Sequence, residues 1–309
     1  MALEHIGYVE LPPHAAAGGF DHAAVHGPRG LLYVAHTAND AIDVIDCVSH
    51  KFIRSIPGLP RVAGALVSEA DDLVFTSNRG ENTVGIFSPS REENPAKVGV
   101  GIGPNGLAYA ADQRLLLAAN VGDPARRGSH TVSLVDVPNR SLVGTIPVPG
   151  RTRWAVIDAT SGRFYVNIMD PPQIVVIDSA DATRLADAFP MTAAGPHGLD
   201  LDPKTRRLFC ACDGKTLLVV DSRSGAILSA HAIGGEPDVI FFNAALRHLY
   251  VTIGDPGIIE VFDTQTMRRL ESVQTERGAH TIGFDASRNT VYAFLPGTHR
   301  AAVYQDRAG

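Results

Sequence analysis

Residues 195–225 read GPHGLDLDPKTRRLFCACDGKTLLVVDSRSG, and this stretch decides the fold because its pattern returns along the whole chain. A first run, GLDLD, is followed by a turn, a second run, RLFCAC, a loop, and a third run, TLLVVD, that ends in Asp. Short runs rich in β-branched and aromatic residues, separated by Gly, Pro, Asn and Asp, are typical of β-strands joined by tight turns. The stretch therefore predicts three consecutive strands of one small β-module.

The second run of this pattern occurs seven times along the chain, as LLYVAH, LVFTSN, LLLAAN, RFYVNI, RLFCAC, HLYVTI and TVYAFL. The second residue of each run marks the repeat: Leu32, Val74, Leu116, Phe164, Leu208, Leu249 and Val291. The markers are 42, 42, 48, 44, 41 and 42 residues apart, and the long interval contains the insertion NVGDPARRGSH. Such a period is typical of β-propeller blades. We therefore predict an all-β, seven-bladed β-propeller with four-stranded blades, in which residues 1–309 form a single domain.

The last repeat has only three strand-like runs before the chain ends, namely HTIGFD, TVYAFL and AAVYQD. The N-terminal segment HIGYVEL, residues 5–11, precedes the first repeat and is itself strand-like. An open ring would leave unpaired strand edges between the first and last blades. We therefore expect residues 5–11 to supply the fourth strand of the last blade and to close the ring.

The segments YVAHTANDAIDVID, YVNIMDPPQIVVID and FCACDGKTLLVVD resemble the repeats of YVTN-type, YncE-like seven-bladed propellers. Those repeats share the strand, Asn, loop and VID pattern, and the resemblance covers essentially the whole chain. It implies the same fold as the repeat period does. It implies no single function, because propellers of this kind include enzymes, binding proteins and scaffolds.

Composition excludes several classes of partner. The net charge of −6 and the pI near 6.0 argue against a nucleic-acid surface, which needs clustered Lys and Arg. No apolar run approaches the ~20 residues that span a bilayer, and the first residues lack the basic and apolar regions typical of a signal peptide. Three cysteines without framework spacing fit a reducing compartment. We expect a cytoplasmic protein with a small-molecule substrate, although a secreted form trimmed of its leader would have the same sequence. The sequence does not indicate the oligomeric state.

Alignment of the repeats places one residue of each blade at the start of its first strand, where the strands line one mouth of the central channel. These residues are His22, Ala63, Asn105, Arg153, His197, Asp238 and His280. Three histidines and one aspartate then fall on consecutive blades of the closed ring. Imidazoles with a carboxylate suit a first-row transition metal better than calcium. We therefore predict a Zn, Mn, Fe or Ni site at His22, His197, His280 and Asp238; the alternative is that these histidines only hydrogen-bond at a solvated mouth.

This set differs from calcium-dependent propeller lactonases, which are expected to use Glu, Asn and Asp at such positions. It is more similar to the three-histidine manganese site of propeller oligogalacturonate lyases, or to a reduced four-histidine iron site of carotenoid-cleaving propellers. Both resemblances are limited to fold and ligand type. They leave the class of reaction open.

The opposite side of the predicted mouth holds Asn105, Arg153 and Trp154, which we predict to bind substrate. Arg153 would anchor a carboxylate or stabilise an oxyanion, unless it only forms a surface salt bridge. Asp238 or His36 would move the proton, although His36 is as well explained by a local hydrogen bond. The favoured function is metal-dependent hydrolysis of a small lactone or ester. The alternatives are a metal-dependent lyase or oxygenase at the same site, and a non-catalytic YncE-like propeller that binds a ligand or protein.

Two recurrent groups are predicted to lie outside the site. An Asp that follows the third strand of most repeats is explained by capping of the next turn. These aspartates are Asp46, Asp136, Asp178, Asp221 and Asp263. Six further histidines fall at strand ends or turns away from the mouth and are predicted to be surface residues. They are His14, His26, His50, His231, His248 and His299.

Overall fold

The computed structural model describes residues 2–90 and 95–307, and it consists of seven four-stranded antiparallel sheets arranged in a ring. The first strands of neighbouring blades contact one another around the whole ring, including those of the last and first blades. No α-helix occurs in the described residues, which hold only two short 3-10 turns, Gly27–Arg29 and Thr37–Asn39. The predicted fold is confirmed. No helix in the described part of the chain has the length and apolar character needed to cross a membrane.

Strands are numbered in chain order. Blades 1 to 3 comprise β2 (Ala23–His26), β3 (Leu31–His36), β4 (Ala41–Asp46) and β5 (Lys51–Ile56); β6 (Val62–Ser68), β7 (Leu73–Asn78), β8 (Thr83–Phe87) and β9 (Ala96–Gly99); and β10 (Pro104–Ala110), β11 (Leu115–Asn120), β12 (Thr131–Asp136) and β13 (Ser141–Pro147). Blades 4 and 5 comprise β14 (Thr152–Asp158), β15 (Arg163–Ile168), β16 (Gln173–Asp178) and β17 (Asp187–Pro190); and β18 (Pro196–Asp202), β19 (Arg207–Cys212), β20 (Thr216–Asp221) and β21 (Ile227–Ala232). Blades 6 and 7 comprise β22 (Pro237–Asn243), β23 (His248–Ile253), β24 (Ile258–Asp263) and β25 (Arg269–Gln274); and β26 (Ile282–Asp285), β27 (Thr290–Leu295), β28 (Arg300–Asp306) and β1 (Leu3–Glu10).

The N-terminal strand closes the ring. β1 pairs antiparallel with β28, from Leu3 opposite Asp306 to Glu10 opposite Arg300. The strand therefore begins two residues earlier and ends one residue earlier than the predicted segment 5–11. Leu3 and Val9 are buried by this pairing, which explains why the chain remains ordered there. The predicted closure by the N-terminal segment is confirmed.

The hydrophobic core lies between neighbouring blades. The second and third strands of each blade are covered on both faces, so they read as nearly continuous apolar runs. The contact between blades 2 and 3 is an example, where Phe75 packs on Tyr109 with ring centroids 4.7 Å apart and Leu116 is fully buried. The fourth strands form the outer edges of the blades, and exposed residues alternate with less exposed ones along them. The core therefore makes each blade depend on its two neighbours.

The aspartates after the third strands cap turns, as predicted. Asp46 Oδ1 accepts hydrogen bonds from the backbone N–H groups of Val48 and Ser49, at 2.9 and 2.6 Å. Asp136, Asp178, Asp221 and Asp263 accept equivalent bonds from residues two or three positions on. Their carboxylates are thereby assigned to local structure and not to a site.

An irregularity in pairing occurs where the first strands begin, at the mouth of the channel. In blades 2 to 6 the register shifts immediately after the first residue of that strand. The shift follows Val62, Pro104, Thr152, Pro196 and Pro237, so the next residue in each case is a member of the predicted column. A β-bulge redirects the side chain at the irregular position. The bulges thus set the direction of the column residue in blades 2 to 6, whereas His22 and His280 of blades 1 and 7 lie just before their first strands.

Candidate functional site at the channel mouth

Most of the predicted site residues lie together in the structure. A chain of side-chain contacts joins Arg153, His197, Asp238 and His280. The ring of His22 lies beside this chain, because it packs on Trp154 and is close enough to Asp238 for that charge to act on its pKa. We call His22, Arg153, His197, Asp213, Asp238 and His280 the mouth cluster. Five of its six members come from the predicted column, and Asp213 does not.

His197 is held between two carboxylates. Its Nδ1 lies 2.7 Å from Asp213 Oδ1 and its Nε2 lies 3.2 Å from Asp238 Oδ1. Burial lowers the pKa of His197, but the charge of Asp238 and the hydrogen bonds to Asp213 and Asp238 outweigh it and raise the pKa to about 9. The two carboxylates therefore favour the imidazolium form of His197 at neutral pH, whereas Arg153 Nη1, 3.1 Å from Nε2, opposes it. In that state it cannot act as a general base.

Asp238 lies at the centre of the cluster. Its Oδ2 is 3.8 Å from Nε2 of His280, whose Nδ1 donates to the Gly278 carbonyl at 2.8 Å. Burial would raise the pKa of Asp238, but the nearby His197, His280 and His22 hold it well below its usual range. Asp238 is therefore an ionised carboxylate toward which the Nε2 atoms of two histidines are directed.

His22 differs from the other histidines of the cluster because it is almost fully buried. Its ring packs on Trp154 with centroids 4.0 Å apart, and its Nε2 lies 3.3 Å from Asp21 Oδ1. Burial lowers the pKa of His22 despite the charges of Asp21 and Asp238. The ring is therefore neutral at physiological pH, which is the form that binds metals or accepts protons.

Arginines occupy the other side of the mouth. Arg153 Nη2 lies 3.6 Å from Asp213 Oδ2 and 3.5 Å from Met169 Sδ. Arg79 donates to the Oδ1 atom of Asn105, which is buried, and forms an ion pair with Asp21 at 3.2 Å. These contacts fix Arg153 and Asn105 at the mouth, where they were predicted to bind substrate.

Arg151 adds a third positive charge to this side. Partial burial and the nearby charges of Arg153 and Arg79 lower the pKa of Arg151, and the charge of Asp213 opposes them. Within residues 2–90 and 95–307, no carboxylate lies within ion-pair distance of Arg151, whereas Arg79 and Arg153 each have one. Arg151 therefore adds a positive charge to this side of the mouth that no direct ion pair among the described residues compensates.

Sequence reasoning missed Asp213 and the arginines at 79 and 151. Asp213 and Arg79 each follow the last residue of a second strand by one position, Cys212 in β19 and Asn78 in β7. The position that follows the end of each second strand holds Arg79, Met169 and Asp213 in blades 2, 4 and 5. All three contact predicted site residues, so comparison of that position between repeats would have revealed them.

His36 is not part of the mouth cluster, contrary to the prediction that it moves protons there. Its ring is fully buried, with Nδ1 2.6 Å from Asp43 Oδ2 and Nε2 2.8 Å from Nδ1 of His14. Both ring nitrogens are thus occupied, and the ring packs on Phe20. The physical reason is that His14 and Phe20, in the connection between β1 and β2, pack over the ring, which local sequence does not reveal.

Two of the six histidines predicted at the surface are buried. His26 and His248 are 3 % and 7 % exposed, and their ring nitrogens lie 3.1 Å from Asp72 and 2.8 Å from Asp306. That prediction is therefore wrong for these two residues. Each aspartate comes from a distant part of the chain, so the burial could not be read from the local pattern.

The predicted metal site has mixed support. In the described part of the chain, no group of three or more His, Cys, Asp or Glu side chains has the arrangement needed to hold a metal ion. Asp238 Oδ1 lies 3.2 Å from His197 Nε2, whereas its Oδ2 is 3.8 Å from His280 Nε2, too far for a hydrogen bond. The donor types nevertheless suit a divalent metal, because the Nδ1 atoms of His197 and His280 are held by Asp213 and a backbone carbonyl. Such outer contacts are usual for metal-binding histidines, and a metal at Nε2 of His197 would replace the proton on that atom.

The pH dependence of stability should report the ion pairs of His197. Its pKa is raised from 6.5 to about 9, so the pairs stabilise the fold fully below pH 6.5, and this contribution is lost as the pH rises through 9. We expect the metal-free protein to lose about 2–3 kcal/mol of unfolding free energy between about pH 6 and pH 9.5. Chemical denaturation at both values measures this. His197→Asn should show a much smaller loss, and equal losses in both proteins would contradict the assignment.

Comparison with known proteins supports the fold. No protein-family model and no curated protein matches the chain. A solved chain of the hydrazine synthase of Kuenenia stuttgartiensis is similar, with a TM-score of 0.82 and 12 % identity over 96 % of this chain and 98 % of that chain. This chain is a seven-bladed β-propeller. At that identity the likeness concerns the fold alone, and membership of the YVTN-type, YncE-like propellers stays a prediction.

Proposed function

We propose that the channel mouth is the active site of a metal-dependent enzyme that acts on a small, anionic, carbonyl-bearing substrate. Hydrolysis of an ester or lactone is the favoured reaction. The observation that carries the proposal is the orientation of two histidines, since the Nε2 atoms of His197 and His280 are both directed at Asp238. The neutral ring of His22 is the third imidazole at this mouth.

In this proposal a divalent Zn, Mn, Fe or Ni ion is held by His22, His197, His280 and Asp238. The metal competes with the proton that His197 carries, so its affinity rises with pH until that histidine is deprotonated. When bound, the metal would polarise the carbonyl of the substrate or lower the pKa of a water molecule. Asp238 is either the fourth ligand or the group that orients the water, and it is ionised in both roles.

Substrate selection is assigned to the arginine side of the mouth. Arg153 is fixed by Asp213 and Met169, and Arg151 has no carboxylate partner among the described residues. A guanidinium binds a carboxylate through two parallel hydrogen bonds. We therefore infer that the substrate carries a carboxylate or a comparable anion next to the reacting carbonyl, with Asn105 and Trp154 as further contacts.

The test is elemental analysis of protein purified without a histidine tag, followed by loading with each of the four metals. We expect about one metal ion per chain, with tighter binding at higher pH. The loaded protein is then screened against lactones and esters with and without a carboxylate. Addition of water identifies a hydrolase, a new carbon–carbon double bond a lyase, and consumption of oxygen an oxygenase. Absence of both bound metal and turnover would overturn the proposal.

A non-catalytic propeller that binds a small anion is the second candidate. It is favoured by the mutual pairing of the charges at Asp213, His197 and Asp238, which leaves Arg151 as the unpaired group. The two candidates differ in a single measurement. Arg153-dependent binding of carboxylates by a protein that takes up no metal would select the binding function.

Replacement of Arg153 by alanine should weaken substrate binding without changing the metal content. A charge-assisted hydrogen bond to a carboxylate contributes about 1.5–3 kcal/mol, so KM or Kd for the anion should rise about 10- to 100-fold. Metal content should not change, because Arg153 is not a ligand. Arg29→Ala is the matched control, since it removes an Arg–Asp pair, at 2.5 Å, far from the mouth. A loss of metal in Arg153→Ala would contradict this division of roles.

A further inference from the structure

The central channel contains a chamber that adjoins the mouth cluster at His22 and extends away from it along the first strands. It has a volume of about 390 Å³ and lies within the ring formed by the first strands, beneath His22 and Trp154. At its far end it reaches Glu69 and Ala111, which are exposed where the first strands turn. Its volume is within the range of about 300–1,000 Å³ that is usual for small-molecule sites. The chamber is therefore a candidate binding site with its own entrance.

The wall of the chamber is mostly apolar and carries a single carboxylate deep inside. Leu107, Ile240 and Phe241 line it, and no Lys or Arg does. Asp200 also lines it, with Oδ1 and Oδ2 each accepting one backbone N–H, from Leu201 and Phe242, at 2.7 Å. Each oxygen retains a further acceptor position. No cation is among the groups that act on Asp200.

Burial of this carboxylate without a paired cation is unfavourable. Burial raises the pKa of Asp200 to about 6, although the two backbone donors oppose it. A buried carboxylate is stabilised by a cation that donates hydrogen bonds to it. The indole of Trp154 and the ring of Phe241, 6.3 Å apart and perpendicular, add aromatic surface that attracts cations.

We propose that the chamber binds a small organic cation, a primary ammonium group on an aryl or short alkyl body. The ammonium group pairs with Asp200, and the apolar body packs against Leu107, Ile240 and Phe241. Binding there requires neither the metal nor the arginines at the mouth, although His22 borders both the chamber and the proposed metal site. It is selective for amines over neutral molecules of equal shape, because the carboxylate is the only charged group at that depth.

The experiment uses the full chain and two probes of similar shape, 2-phenylethylamine and 2-phenylethanol. At about pH 7.5 the amine is protonated and the alcohol is neutral. Trp154 is the only tryptophan, so its fluorescence reports binding, and calorimetry gives the stoichiometry. We expect one amine per chain and an affinity for the alcohol that is weaker by about tenfold or more. Equal affinity for both probes would overturn the proposal.

Three variants locate the site. Asp200→Asn should reduce amine affinity about tenfold or more and leave the alcohol unchanged. Glu69→Gln removes a carboxylate at the rim and should leave amine affinity within about twofold, because exposed charges are screened. Ala24→Leu narrows the chamber and leaves Asp200 in place, so it should weaken the binding of both probes. This variant tests the site even if Asp200→Asn does not fold. Undiminished amine binding in Ala24→Leu, or an equal loss in Glu69→Gln, would place the amine elsewhere.

Discussion

Replacement of His197 by alanine is expected to abolish metal binding and turnover together. His197 is the only member of the mouth cluster that contacts Arg153, Asp213 and Asp238 at once, at 3.1, 2.7 and 3.2 Å. Loss of an outer contact to a metal-binding histidine already costs about 10- to 100-fold in affinity or activity, and loss of the ligand itself should exceed 100-fold. Metal analysis and turnover of the identified substrate measure both effects.

The same change should destabilise the metal-free protein. Without the imidazolium, Asp213 and Asp238 lose their shared cation, and breaking a buried ion pair costs about 3–5 kcal/mol. The side chain of His197 is 15 % exposed, so this value is an upper limit. Circular dichroism should still show the β-propeller fold, because the first strand of blade 5 keeps its backbone pairing.

Asp213→Asn is the matched control for His197. It keeps the imidazole and its hydrogen-bond geometry but removes one of the two carboxylates that raise the pKa of His197. Metal affinity should fall about 10- to 100-fold without being lost. Full metal content in His197→Ala would show that the mouth cluster is not the metal site, and the arginine side would then support anion binding alone.

Deletion of residues 1–12 is expected to prevent cooperative folding or to lower the melting temperature severely. The deletion removes β1 and the buried side chains of Leu3, Val9 and Leu11. Each such side chain contributes about 1.5–3 kcal/mol, so the sum approaches the whole stability of a typical domain. The edge of β28 would also be unpaired and open to aggregation. Thermal melting and size-exclusion chromatography measure both consequences.

A point substitution separates closure of the ring from the mere presence of the N-terminal segment. Val9→Asp places a charge in the closed interface and should cost several kcal/mol, because a buried unpaired carboxylate is strongly unfavourable. Ile6→Ala, on the same strand but 43 % exposed, is the control and should change stability by less than about 1 kcal/mol. An unchanged melting curve after the deletion would contradict closure by β1.

The mouth column illustrates how far a repeat sequence determines a site. Because each blade repeats the same strands, equivalent positions must face the same end of the channel, so His197, Asp238 and His280 were predicted to meet. The residues that contact them were harder to predict from the sequence. Asp213 lies one position beyond the aligned end of β19, and its contact with His197 depends on how the loop after that strand turns.

The sequence by itself determined the number of blades, the four strands of each and the strand that closes the ring. Those features follow from local patterns of apolar residues and turns, which are repeated and so can be compared within one chain. Only the tertiary structure decided that His36 is sealed beside His14 and Asp43, that Arg151 joins Arg79 and Arg153, and that Asp200 lies in an apolar chamber. Each of these features depends on side chains that distant parts of the chain bring together. The burial and the pKa of a group follow from all of its neighbours in space, which the local sequence does not specify.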